Sequence, residues 1–213
     1  MFLTEITLHD EAAAKLFPSN PYNWHQTVWR FFPERKHRDF LYRVDYSSRS
    51  LRLLVLSADR PSSPFSENCA VFKCREVPES FLSHSYYRFQ VRVNPTRRIH
   101  VDARTGQRVE GGMRVPVTGE KELIMWLKRK GESAGFSLPA IDEPDNPRFH
   151  LSVLPETRLH FKKKGNARAH HASVQFTGVL RVEDATLFRK SFLQGIGSAK
   201  SFGFGLIMLQ PLN

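Results

Sequence analysis

The sequence predicts an α+β chain of two units, each an antiparallel sheet covered by helices, and three observations carry that prediction. Short β-rich runs alternate in polarity, as in Tyr87–Val93, where Tyr87, Phe89, Val91 and Val93 face one way and Arg88, Gln90 and Arg92 the other. Between such runs lie segments with helical spacing, above all Asn20–Phe32 and Glu120–Lys130. The length of 213 residues accommodates two units of about 100 residues each.

Taken in order, Phe2–Leu8 alternates apolar and polar residues and reads as a strand, and His9–Phe17 as a short helical turn. In Asn20–Phe32, Asn20 is suited to cap the first turn and Pro21 to open it. Trp24, Val28 and Phe31 form one apolar stripe at helical spacing, and Pro33 stops the helix. Phe40–Tyr46 and Leu51–Ser57 are two strands joined by a polar hairpin turn, followed by a loop over Arg60–Asn68. Val71–Val77 is a short strand and Tyr87–Val93 a clear one, so residues 1–94 read β-α-β-β-(x)-β, the order of a ferredoxin-like domain.

Residues 95–112, rich in Arg and Gly, read as a linker, and 113–213 as a second ferredoxin-like domain. There, Glu120–Lys130 places acids at its start and bases at its end, with Gly131 as its C-cap. A strand over Phe149–Leu154 follows. Arg158–Phe161 and Ala172–Val182 flank a basic tip as a long hairpin. Asp184–Gln194 reads as a helix ending at Gly195, and Phe204–Leu209 as the last strand. The full expectation is two tandem ferredoxin-like (RRM-like) domains with antiparallel sheets.

Composition narrows the function. No run of 18 or more apolar residues is present, so no membrane span is expected, and the acidic start MFLTEITLHDE is unlike a signal peptide. Cys69 and Cys74 are the only cysteines, which fits a reducing cytoplasm and ordinary thiols. Lys and Arg total 32 against 21 Asp and Glu, a net charge of +11, which points to a polyanion and first to nucleic acid.

Four features concentrate that reading. Tyr22 and His25, three apart, lie on one helix face beside the apolar stripe, and only His titrates near neutrality. The run from Tyr86 to Arg108 holds six arginines and one acid, with Arg92, Arg97 and Arg98 as candidate nucleic-acid contacts. Arg158, Lys162, Lys163, Lys164 and Arg168 surround a hairpin tip that has the shape to enter a groove, although Lys-rich tips are also common as solvated surface. The loop GIGSAKSFGFG carries four glycines, including Gly197 and Gly203, which let backbone N–H groups approach a phosphate, with Lys200 and Ser201 at its centre; its plainer role is a turn into the last strand. His170 and His171 have no cysteine or carboxylate cluster near in sequence, so no metal site is expected.

MFLTEI, YNWHQTVWRFFP, RDFLYRV, RVNPTRR, RVPVTGEKELIMWLKRKG, VQFTGVLRVED and QGIGSAKSFGFGLIML together resemble the CasE family of CRISPR-associated endoribonucleases over nearly the whole chain. That resemblance implies tandem ferredoxin-like domains and cleavage of precursor CRISPR RNA at a repeat stem-loop. It implies His25 as the catalytic histidine, Tyr22 as its support, and the loop with Lys200 as an RNA contact. It also implies that Phe161–Ala172 grips the stem, that no metal or cofactor is required, and that the product is retained within the Cascade complex. A 2′-OH beside the scissile phosphate supplies the nucleophile in such a reaction, and a histidine serves as acid or base. The rival expectation is a non-catalytic subunit that only binds the RNA.

Overall fold

The computed structural model describes residues 1–9, 21–46, 50–62, 70–102, 104–141, 148–156, 159–162 and 168–212, without the side chains of 9, 21, 22, 141, 148, 159–162 and 168–170. Strand β1 (Phe2–His9), helix α1 (Pro21–Trp29) and strands β2 (Phe40–Tyr46), β3 (Ser50–Ser57) and β4 (Ala70–Glu76) make the first unit. Its antiparallel sheet has the order β2-β3-β1-β4, with β3 paired to β1 from Phe2↔Ser57 to His9↔Ser50. Pro21 opens α1, and Trp24, Val28 and Phe31 are all buried, as the apolar stripe predicts.

The second unit begins with β5 (Tyr86–Val93). A hairpin of β6 (Thr96–Val101) and β7 (Arg108–Pro116) leads to α2 (Glu120–Ala134). Then come the short strands β8 (Phe136–Ser137), β9 (Ala140–Ile141) and β10 (Arg148–Phe149), and the longer β11 (Leu151–Pro155). A ribbon of β12 (Leu159–Lys162) and β13 (Arg168–His171) precedes β14 (Val174–Val182), α3 (Ala185–Gln194) and β15 (Ile207–Leu212). Its main sheet has the order β11-β14-β5-β15, all antiparallel. Counting main strands within each unit, both sheets run second-third-first-fourth. The chain is thus an α+β pair of tandem ferredoxin-like domains.

Several sequence expectations are corrected. Tyr86–Val93 is not the last strand of the first sheet but an inner strand of the second, bonded to β14 and β15, and β4 closes the first sheet. Residues expected as a linker form the β6–β7 hairpin. The basic ribbon pairs Leu159–Lys162 with Arg168–His171, while Val174–Val182 leaves it for the main sheet. Helix α2 continues through Gly131 to Ala134, and Gly135, at φ 80°, caps it. Gly131 serves packing instead, since an added Cβ would stand 2.7 Å from the Phe136 carbonyl oxygen. The expected turn at His9–Phe17 lies outside the described residues beyond His9.

The first sheet is buried on both faces. Phe40, Tyr42, Val44, Leu51, Leu53 and Val55 pack with α1, whereas Leu41, Leu54 and Leu56 join the core of the second unit around Tyr87, Phe89, Phe188 and Phe192. A polar latch crosses the same seam. Arg43 donates to Asp45 (2.8 Å) and to Gln175 (2.9 Å). Arg92 donates to the Val44 carbonyl (2.8 Å) and pairs with Asp45 (3.2 Å) and Glu156 (2.8 Å).

Candidate active site

His25 sits half-buried on α1, one turn before Trp29, whose Nε1 donates to His25 Nε2 at 3.1 Å. Phe40 of β2 flanks both rings. A lone pair engaged at Nε2 places the ring proton of the neutral form on Nδ1. Burial and then the nearby Arg38 charge lower the His25 pKa, so the imidazole is neutral at neutral pH. Tyr22 is in the first turn of the same helix; its side chain lies outside the described residues.

The glycine-rich segment comes to this helix across the whole length of the chain. Lys200–Phe202 forms a single 3-10 turn that packs against both α1 and β2. Tyr42 donates from its hydroxyl to the Ser201 carbonyl at 2.7 Å. Two left-handed glycines shape the approach: Gly203 (φ 83°), where an added Cβ would stand 3.3 Å from the Tyr42 ring, and Gly205 (φ 89°), where it would stand 2.6 Å from the Ile196 carbonyl oxygen. The Gly205 N–H donates to the Arg92 carbonyl (2.8 Å), tying the segment to β5.

Ala199, immediately before Lys200, is also left-handed, at φ 60°, and is the single non-glycine residue of that kind among those described. Such a conformation costs an L-residue about 1–2 kcal/mol. Ala199→Gly removes that strain while loosening the unfolded chain by about 0.4–1 kcal/mol. A denaturant melt of this variant should show a net gain of about 0.5–1 kcal/mol.

Lys200 is half-buried, and burial followed by the charges of Arg38 and Lys130 lowers its pKa. Arg38, on the segment between α1 and β2, donates from Nη1 to Ser201 Oγ at 2.9 Å. His25, Arg38, Lys200 and Ser201 therefore meet in one place, although Ser201 lies 163 residues from Arg38.

A cationic groove of about 300 Å³ adjoins the turn, lined by Arg97, Arg98, Arg114, Trp126, Lys130 and Gly197, among others. Arg98 and Arg114 stand directly opposite in the β6–β7 register, a like-charge pairing that disfavours the free hairpin and is relieved by an anion. The Lys130 ammonium lies 5.9 Å from the Trp126 ring centroid.

The expected residues thus divide. His25, Lys200, Ser201 and Gly203 converge, and Arg97, Arg98 and Gly197 line the adjoining groove. Arg92 is held between Asp45 and Glu156 in the domain seam, where it also lines a separate cavity with Phe202 and Gly203. Lys162 and Arg168 face each other in the ribbon's register, with their side chains not described, and Arg158, Lys163 and Lys164 lie outside the described residues. His171 pairs with Asn94 (3.1 Å) and packs on Phe202 and Phe204. Sequence reasoning missed Arg38, Arg114 and Lys130. The first sits inside a run of mixed charge, RKHRD, and the others sit within elements whose facing was not legible.

Comparison with known proteins agrees with this architecture. A family model described as CRISPR associated protein matches residues 1–211. The Escherichia coli K12 protein "CRISPR system Cascade subunit CasE" is 31% identical, with 100% of both chains covered. The Thermus thermophilus protein "CRISPR-associated endoribonuclease Cse3" is 30% identical, covering 99% of this chain and 100% of the relative. A solved structure of CRISPR endoribonuclease Cse3 bound to 19 nt RNA superposes with a TM-score of 0.80 at 25% identity, covering 99% of this chain and 100% of the other. With the model spanning nearly every residue, the chain belongs to the CRISPR-associated protein family, among the CasE-type endoribonucleases.

Proposed function

We propose that this endoribonuclease binds a CRISPR repeat stem-loop and cuts precursor crRNA without a metal, by attack of the 2′-OH beside the scissile phosphate. The oxygen bonds to phosphorus, the P–O5′ bond breaks, and the products are a 2′,3′-cyclic phosphate and a 5′-OH. His25 moves a proton, and Tyr22 positions the reacting groups or donates a hydrogen bond. Lys200 and the backbone N–H groups of its loop offset phosphate charge. Arg97, Arg98 and the basic ribbon, with Arg158, Lys162, Lys163, Lys164 and Arg168, hold the stem. The product then stays bound within a cytoplasmic Cascade assembly.

The observation that carries this reading is the packing of the Lys200 turn on the His25 helix. An imidazole-bearing helix and a lysine-bearing turn pack together there, and the cationic groove reaches Gly197 and Ser198 just before that turn. No helix among the described residues is long and apolar enough to cross a membrane. The test is cleavage of a labelled repeat hairpin in EDTA, with a 2′-deoxy substrate at the cut site. Cutting in EDTA that disappears with the deoxy substrate is expected. Tight binding without cutting would instead make the chain a non-catalytic crRNA-binding subunit.

A further inference from the structure

We propose that Arg38 is a further catalytic residue of this reaction, its guanidinium contacting a non-bridging oxygen of the phosphate that is cut. The proposal rests on the RNA-cleaving reading above and adds to it a group that neither the helix nor the glycine-rich loop supplies.

Three observations converge on Arg38. Several other arginines of the first unit and the seam are paired with carboxylates: Arg35 with Asp39 and Asp59, Arg43 with Asp45, Arg52 with Asp45 and Glu5, and Arg92 with Asp45 and Glu156. Arg38 has no carboxylate partner among the described residues, and a neutral hydroxyl, Ser201 Oγ, holds it instead. Its charge acts on groups from three different elements: His25 of α1, Tyr42 of β2 and Lys200 of the turn. A half-buried cation placed beside a second cation with no counter-ion is costly in the free protein. Binding of a phosphate at that point removes the cost.

The chemistry suits the side chain. Arginine carries five N–H donors in a planar fork, and Ser201 takes up one nitrogen, leaving donors to match phosphate oxygens. As the 2′-oxygen bonds to phosphorus and the P–O5′ bond lengthens, negative charge grows on the non-bridging oxygens. The 2′-OH proton departs and another is delivered to O5′, so the step balances without a co-reactant. A fixed guanidinium stabilises the growing charge with no reorganisation during the step. Ser201, in this arrangement, is a positioning residue for Arg38.

The experiment compares wild type, Arg38→Ala, Arg38→Lys and His25→Ala in single-turnover cleavage of the repeat hairpin at saturating protein. Each of the two phosphorothioate diastereomers at the cut site is used in parallel with the ordinary substrate. Arg38→Ala should cut about 10²–10³-fold more slowly, the loss typical of one oxyanion donor. Arg38→Lys, which keeps the charge but not the fork, should recover part of that rate. The rate difference between diastereomers should shrink in Arg38→Ala. The pH limb assigned to His25 should also move upward, because a positive charge beside the imidazole is gone; Lys200 and Tyr42, on which the same charge acts, lose it too and shift in the same direction. Wild-type saturated rate and an unmoved limb in Arg38→Ala, with His25→Ala inactive, would overturn the role of Arg38. Weakened affinity with an unchanged saturated rate would overturn it too, reducing Arg38 to a binding contact. If wild type cuts no RNA, or His25→Ala cuts normally, it is the underlying enzymatic reading that fails.

Discussion

Replacing His25 by alanine is expected to slow single-turnover hairpin cleavage by about 10²–10⁴-fold, the range for loss of one general acid–base group, with hairpin affinity close to wild type. The two properties separate because they sit on different surfaces. His25 is held by Trp29 and Phe40 on the rim of α1, whereas on the proposed reading affinity comes chiefly from phosphate contacts made by basic side chains elsewhere, such as those of the Arg97–Arg98–Arg114–Lys130 groove. The direction of its titration sharpens the test. Burial, then Arg38, lowers the imidazole pKa from 6.5, so the limb of the wild-type pH–rate profile that reports its protonation lies below pH 6.5. In His25→Ala that limb should vanish from whatever activity remains. An alanine variant that cuts at the wild-type rate would remove His25 from the mechanism.

The largest stability effect is expected at Asp45. This carboxylate accepts from Arg43 at 2.8 Å and lies 3.2 Å from Arg92 and 3.3 Å from Arg52, in the seam where the two sheets meet. Arg43 is only 4% exposed, so Asp45→Ala leaves a buried guanidinium without its ion-pair partner. Breaking such a pair costs about 3–5 kcal/mol, and denaturant melts at neutral pH should show a loss of that order. Burial alone raises the Asp45 pKa, but hydrogen bonding and charge from Arg43, with Arg92 and Arg52, outweigh it and hold the carboxyl below its ordinary value of 3.8. A depressed folded pKa means the contribution is complete above the unfolded value and is lost as pH falls through the folded one. The stability gap between wild type and Asp45→Asn should therefore be full at pH 7 and narrow below about pH 4. A gap that stays constant into acid would show that the carboxylate charge does not hold the seam.

Much of the local structure was legible in the chain. Phe40–Tyr46 is found with the bounds its pattern predicts, and the burial of Tyr87, Phe89, Val91 and Val93 follows their alternation. Asp184 caps α3 by accepting from the Thr186 and Leu187 N–H groups, and Gly195 ends it. These features depend on side-chain periodicity and on caps within a turn or two of the residues they serve, which a linear sequence records directly. Helix α2 exceeded its expected end because Gly131 packs against Phe136, a contact that outweighs the local cost of glycine in a helix.

By itself, then, the sequence determined the α+β class, most of the main strands and helices, and the cationic character, and it nominated the histidine and the glycine-rich loop. Which sheet Tyr86–Val93 enters was decided only by the tertiary structure, since an alternating strand presents the same hydrogen-bonding edges to any neighbour. The same holds for charge. Arg92 and Arg38 are alike as letters, yet one meets Asp45 and Glu156 across the domain seam and the other meets Ser201 beside His25. An arginine's task is set by whether a carboxylate arrives within reach of it, and that is a property of packing between residues far apart in the chain.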